Sequence, residues 1–346
     1  MGLEEFLAEW HNDSPTLLVH TSGSTGQPKP MLVEKRRMEA SARQTCRFLG
    51  LKEGDTALLC MPLDYIAGKM MVVRALTCGL RLLSVAPSGH PMAEFTQKEG
   101  LARRPEGESQ PSLLCNFAAM VPMQVWNSLQ VPEERELLMQ IDQLIIGGGA
   151  IDEMLAAELR NFPHAVWSTY GMTETLSHIA LRRLNGPSAS GWYTPFEGVT
   201  LSQTDEGCLI INAPALHDGP LVTNDIVEFS PSSPVGEGRG VRLFRILGRK
   251  DNTICSGGVK IQAEEVERLL RAHLREPYLI SKRQDPKFGE AVVLLTQSSD
   301  LAAVETVCRR VLPKYWQPRY YVRVAHIPLT ATGKPARREA EQLAAG

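Results

Sequence analysis

"HTSGSTGQPKPM", residues 20–31, holds two glycines, four hydroxyl side chains and a lysine with no hydrophobic period. It follows the apolar run TLLVH (16–20), partly β-branched, which reads as a buried strand leading into the loop. Backbone N–H groups of a glycine-rich turn converge on phosphate; Thr21, Ser22, Ser24 and Thr25 add donors and Lys29 a positive charge. The P-loop spacing is not met, because Gly26 is followed by Gln27 and the lysine arrives beside prolines. Taken alone, the segment also reads as a flexible Gly/Ser/Thr loop.

Working outward, strands and helices alternate. A helix is predicted over 34–49, a strand in DTALLCMP (55–62), and a helix through AGKMMVVRAL. IDQLIIGGG (141–149) reads as a strand running into three glycines, followed by a helix with Ile151, Met154, Leu155 and Leu159 on one face. HAVWSTYG (164–171) supplies another strand and turn. This order predicts an α/β fold, a large N-terminal domain whose mainly parallel sheet is flanked by helices, with ligands at the carboxyl ends of the strands. The segments at 103–112 and 230–240 are rich in Pro, Gly and Ser and read as loops. Beyond FRILGRKDN, a helix from about Ala263 to Leu274, a strand AVVLLT, a helix LAAVETVCRRVL and a strand YYVRVAHI make a small C-terminal α+β domain.

Composition narrows the chemistry. The 346 residues favour two domains over one core. With 43% hydrophobic residues, 22% charged residues and a net charge of -2, there is no electrostatic case for nucleic acid or an anionic membrane surface. The seven cysteines are scattered without a C-x-x-C pair, which suits buried thiols in a reducing cytoplasm rather than zinc or disulfides. The acidic N-terminus and the lack of 18 uninterrupted apolar residues argue against export and membrane insertion.

Five segments, in order, carry a resemblance. TSGSTGQPK (21–29) is joined by Tyr170-Gly171-Met172-Thr173-Glu174, by Thr223-Asn224-Asp225, by GRKDNTICSGGVKI from Gly248 to Ile261, and by Pro328, Gly333 and Lys334. Together they resemble the signatures of the adenylate-forming superfamily, which comprises acyl-CoA and aryl-CoA synthetases, luciferases and peptide-synthetase adenylation domains. Within it, YGMTET followed by LSHI, and MPLDYIAGKMMVVRAL, are most similar to the o-succinylbenzoate–CoA ligases of menaquinone biosynthesis. The resemblance implies an ATP-dependent acid–CoA ligase using Mg2+, with ATP, CoA and a small carboxylic acid as its partners. It further implies a domain at 1–248, a hinge at 249–252 about which a mobile C-terminal domain swings, and that domain at 253–346. A homo-oligomer is compatible with all of this.

Each implied role has a physical reason. Two anions, the substrate carboxylate and the ATP α-phosphate, must meet, so charge has to be neutralised. Thr21, Ser22, Gly23, Ser24, Thr25, Gly26 and Lys29 would hold the β- and γ-phosphates. Thr173 would donate to the α-phosphate and Glu174 would offer magnesium a hard oxygen ligand. Asp225 would accept from the ribose hydroxyls with Arg249 beside it. Gly147, Gly148 and Gly149 would let adenine lie against backbone, with Tyr170 stacking on its other face and Gly171 also among the nucleotide-binding residues. Lys334 would bridge the carboxylate and α-phosphate. Asp251 would be the hinge, while Ser256, Gly257, Gly258 and Lys260 would meet CoA. A dicarboxylate aryl substrate needs a cation far from the reacting end, for which Lys69, Arg74 and His178 are candidates, with Tyr65 as an aromatic gate.

The sequence also departs from the pattern. The phosphate segment begins at residue 20 instead of lying deep in the chain, which implies a shortened N-terminal region. Pro30 replaces the glycine usual after the lysine and removes an N–H. Two other readings stay open: a different aryl or acyl ligase or carrier-protein loader, and a truncated nucleotide-binding pseudo-ligase.

Overall fold

The computed structural model describes residues 1–20, 30–97, 115–149, 151, 153–231, 242–330 and 335–345. The chain divides into two compact units, the first Met1–Thr200 with Ile211–Leu221 and Ser230–Leu243, the second Leu201–Ile210 with Val222–Phe229 and Phe244–Gly346. The sequence expectation set its boundary at 248; the second unit also takes in two segments before it.

In the first unit, β1 (Thr16–His20) and β2 (Pro30–Glu34) form an antiparallel ribbon in which His20 faces Pro30. Leu17 and Val19 are buried but Leu18 is 42% exposed. The expected buried strand is therefore half-buried, because among the described residues its one sheet partner is β2. Pro30 opens β2, a position where a missing N–H costs no central ladder bond.

A seven-stranded sheet follows: β3 (Thr56–Leu59), β4 (Arg81–Ser84), β5 (Phe117–Met120), β6 (Gln143–Ile146), β7 (Ala165–Gly171), β8 (His178–Arg183) and β9 (Thr194–Pro195). Its order is β4-β3-β5-β6-β7-β8-β9, parallel from β4 to β7 and antiparallel from β7 to β9. Every residue of β3 and β5 is buried, as parallel strands covered on both faces require. Leu58, Met120, Leu144, Ile146 and Val166 belong to one core cluster. The flanking helices are α1 (Leu3–His11), α2 (Lys35–Leu49), α3 (Ile66–Cys78), α4 (Ala93–Gln97), α5 (Pro122–Leu129), α6 (Pro132–Met139) and α7 (Glu153–Leu159). Gly50 and Gly79, both in the left-handed region, close α2 and α3 by accepting a backbone conformation that side chains resist.

The second unit is built on two sheets. β10 (Thr200–Gln203), β11 (Cys208–Asn212), β12 (Leu221–Phe229) and β13 (Phe244–Arg249) follow one another in a four-stranded sheet. β14 (Thr253–Ser256), β15 (Val259–Gln262), β16 (Tyr278–Asp285), β17 (Gly289–Thr296) and β18 (Tyr320–Arg323) form the second, with β16 at an edge beside β17. Helices α8 (Ala263–Leu270), α9 (Leu301–Val311) and α10 (Arg337–Ala345) complete the unit. The helix expected to reach Leu274 ends at Leu270, and Leu274 packs against the core from outside it. No helix among the described residues is long and apolar enough to cross a membrane.

Candidate nucleotide and acid site

The carboxyl ends of β6 and β7 lie side by side, with Ile146 opposite Ser168 in a parallel register. Gly147, Gly148 and Gly149 leave β6 there, next to Thr169, Tyr170 and Gly171. A Cβ on Gly147 would stand 2.3 Å from Thr169 Oγ1, and Gly148 has a φ of +78°. The three glycines thus present bare backbone beside the buried Tyr170. That arrangement brings the sequence-predicted adenine residues together and suits a flat ring against a strand edge.

Gly171 has a packing reason of its own. A Cβ there would meet Ser177 O at 2.2 Å and His178 Cα at 2.4 Å, because the β7–β8 hairpin closes over it. Between the strands, Thr175 Oγ1 takes a bond from Met172 N and reaches Ser177 O at 2.7 Å, while Leu176 N donates to Thr173 O. Leu176 is buried with φ at 63°, a conformation that costs a non-glycine residue on the order of 1 kcal/mol or more. The tight turn holds Thr173 buried and Glu174 half-buried. Among the described residues no ion pair engages Glu174 and no cluster of three metal-ligating side chains occurs. One carboxylate free to complete a shell of phosphate and water oxygens fits magnesium better than a protein cage would.

Beneath this turn, Arg74 on α3 is 1% exposed. Its Nη2 donates to Ser177 Oγ at 2.7 Å and its guanidinium lies 6.0 Å from the Phe117 ring. The Nε is buried without a partner, and among the described residues no carboxylate pairs with the group. Burial pulls its pKa down to about 10. His178 packs edge-on to Phe196, sits 3.1 Å from Thr45 Oγ1 through Nε2 and 3.2 Å from Ser177 Oγ through Nδ1. Burial, then the charge of Arg74, pushes its pKa well below the ordinary value, so it is a neutral ring and supplies no cation. Lys69 is 3% exposed, with Nζ 3.2 Å from Met1 Sδ and 5.2 Å from the Phe6 ring centre. Burial lowers its pKa as well. Tyr65, at the N-cap of α3, is 47% exposed.

In the second unit, Asp225 on β12 faces Arg249 on β13 in register. Arg249 Nη1 lies 3.2 Å from Asp225 and Nη2 lies 2.9 Å from Asp251. Burial opposes the Arg249 charge, but the two carboxylates outweigh it and raise its pKa. Asn224, which stands where the signature has glycine, donates to both Asp251 oxygens at 3.2 Å. Ser256, Gly257, Gly258 and Val259 make the β14–β15 turn, in which both glycines have positive φ, 59° and 83°. This is the two-residue hairpin that demands such residues on its own account. Lys260 is exposed on β15 opposite Cys255.

Thr21, Ser22, Gly23, Ser24, Thr25, Gly26 and Lys29, and likewise Lys334, lie outside the described residues. Sequence reasoning missed Ser177, Thr45, Leu176 and the Asn224 contact. LSHI, with its polar pair just before and at the start of the apolar strand β8, was the available signal for the first.

The model of the AMP-binding enzyme family matches residues 4–210. A 2-succinylbenzoate–CoA ligase of Enterococcus faecalis is 25% identical over 96% of this chain and 70% of its own length. One from Salmonella typhimurium is 27% identical over 90% of this chain and 65% of its own. Among solved structures, an acyl-CoA synthetase (AMP-forming)/AMP-acid ligase II-like protein from Dyadobacter fermentans is 30% identical, covers 97% of this chain and 91% of its own, and superposes with a TM-score of 0.63. The o-succinylbenzoate coenzyme A synthetase of Bacillus subtilis, solved with ATP and magnesium ion, shares the fold at a TM-score of 0.70 and 20% identity, over 93% of this chain and 69% of that one.

Proposed function

Because the chain belongs to the AMP-binding enzyme family, we propose that it is an ATP-dependent acid–CoA ligase whose acid is o-succinylbenzoate. The observation that carries the reading is the run of bare glycines beside Tyr170 at the carboxyl ends of β6 and β7, with Thr173 and Glu174 in the adjoining turn. The acid assignment draws support from the names of the relatives and from Arg74, a buried cation without a carboxylate partner among the described residues.

In this reading the substrate carboxylate attacks the α-phosphorus of ATP and the bond to pyrophosphate breaks. The CoA thiol then attacks the acyl carbonyl and AMP leaves. No general base is needed for the first step, since the carboxylate is already ionised. Thr173 donates to the α-phosphate, the 21–29 segment holds the departing phosphates, and Asp225 with Arg249 accepts and orients the ribose. Lys334 bridges the two anions, and residues 249–252 form the hinge on which it is brought up and withdrawn. Magnesium, when bound, neutralises phosphate charge, and Glu174 would hold it.

The test is a pyrophosphate-release and CoA-thioester assay over aryl and fatty acids, with Lys334→Ala beside it. Expected are release with o-succinylbenzoate above all other acids and a loss on the order of 10²–10³-fold in the variant. Absence of release with every acid ends the ligase reading; equal rates with benzoate or a fatty acid end only the choice of acid.

A further inference from the structure

An arginine fork often closes on a single carboxylate with both prongs together. Arg249 does not: Nη1 donates to Asp225 Oδ1 at 3.2 Å and Nη2 to Asp251 Oδ2 at 2.9 Å, one prong to each. The backbone sets up this rivalry. Asp225 on β12 faces Arg249 across the ladder, and the 3₁₀ turn Lys250–Asn252 brings Asp251 round to the same guanidinium. Asp251, two residues from the arginine, holds the shorter contact. What shares Asp251 with the arginine is Asn224, whose Nδ2 stands 3.2 Å from both carboxylate oxygens. Among the described residues, Arg249 and Asn224 are the side chains bonded to Asp251. A neutral amide occupies carboxylate lone pairs without bringing a second positive charge to the pair. The turn is pinned on either side of Asp251, Lys250 to Glu206 at 2.5 Å and Asn252 to Glu264. Asp225 is fixed separately, its N–H donating to Thr223 Oγ1 at 3.1 Å.

We infer that Asn224 is a positioning residue for the nucleotide: by sharing Asp251 it keeps one prong of Arg249 on Asp225, where the ribose is to be held. This rests on the ribose role proposed above for Asp225 and Arg249. With the glycine of the signature at 224, Asp251 has Arg249 alone to satisfy it and draws both prongs, and Asp225 loses the donor beside it. An aspartate at 224 goes further, since two adjoining carboxylates then pull the guanidinium away.

The experiment measures equilibrium binding of ATP and of 2′,3′-dideoxy-ATP, which lacks the ribose hydroxyls, to the full chain and to Asn224→Gly, Asn224→Asp, Asp251→Ala and the Asn224→Gly/Asp251→Ala pair. KM for ATP and kcat in pyrophosphate release are followed beside it. Expected is a weakening of ATP binding by about fivefold in Asn224→Gly and about tenfold in Asn224→Asp, with dideoxy-ATP changed less than about twofold. KM for ATP should rise with the binding constant and kcat stay within about twofold. On the Asp251→Ala background, where Arg249 has no rival for its fork, Asn224→Gly should add nothing. Unchanged ATP affinity, equal weakening of both nucleotides, a change in kcat alone, or losses that multiply in the double variant overturns the inference. If Asn224→Gly loosens β12, Asn224→Asp decides it by the same contrast between nucleotides. A parent that binds both nucleotides equally removes the ribose role and the inference with it. A chain that releases no pyrophosphate yet shows the expected binding pattern ends the ligase reading and upholds the role of Asn224.

Discussion

Two arginines, Arg74 fully buried and Arg337 partly so, are held in this protein under opposite conditions. Arg337 meets a carboxylate with both prongs and a carbonyl besides, and its charge is reinforced. Arg74 meets a serine hydroxyl, a thioether and, over its face, a phenyl ring, and burial weakens its hold on the proton. The first is a finished piece of architecture. The second is a charge held ready, stable only because guanidinium keeps its proton even when desolvated.

The contrast can be broken in four ways. Removing one member of a compensated pair strands the other, so Arg337→Met should cost about 3 kcal/mol or more in denaturant unfolding. Ser177→Ala takes away the hydroxyl that Arg74 holds at 2.7 Å and should cost about 1.5–3 kcal/mol, since a bond to a charged group is lost in a buried place. Arg74→Met removes an uncompensated charge and keeps volume, so stability should stay within about 1 kcal/mol of the parent or rise. The same variant should raise KM about tenfold or more for a dicarboxylic acid and leave a monocarboxylic one unmoved. A large stability loss in Arg74→Met would show that the two arginines are alike after all.

The smallest effect is in pH. His178 is neutral when folded, its pKa well below the 6.5 of an unfolded histidine. Below that value the unfolded chain takes up a proton that the folded protein refuses, so stability falls as pH drops, by up to about 1.4 kcal/mol per unit. His178→Gln should flatten that slope in acid denaturation. Because Arg74 is the second cause of the depression, Arg74→Met should raise the folded-state pKa of His178, so that the fall ends at a higher pH and is smaller in total.

Much of this frame was legible in the chain itself. IDQLIIGGG and HAVWSTYG announced neighbouring strands with glycines at their exits, and the structure pairs them as β6 and β7 in parallel. The runs were readable because strands buried on both faces are continuous apolar stretches. TLLVH looked equally apolar but lies in a two-stranded ribbon, a pairing that its own residues do not encode. Arg74, Ser177 and Thr45 are far apart in sequence and meet only through tertiary packing, so no spacing rule finds them. Arg337 is similarly hidden: a second basic residue after a lysine reads as surface until Glu267 arrives 70 positions away.

The β7–β8 turn has a consequence for how such a site can change. Its span is set by the register of two strands, in which Gly171 faces His178 after an irregularity between Tyr170 and Gly171, and a Cβ on Gly171 would strike Ser177 and His178. Thr173, Glu174 and Ser177, the hydroxyl partner of Arg74, all lie within that short span, whose hydrogen bonds tie them into one mechanical part. A substitution at Ser177 is therefore expected to disturb Thr173 and Glu174 along with Arg74, whereas Tyr65 and Lys69 stand on α3 and its cap, a separate element of the fold.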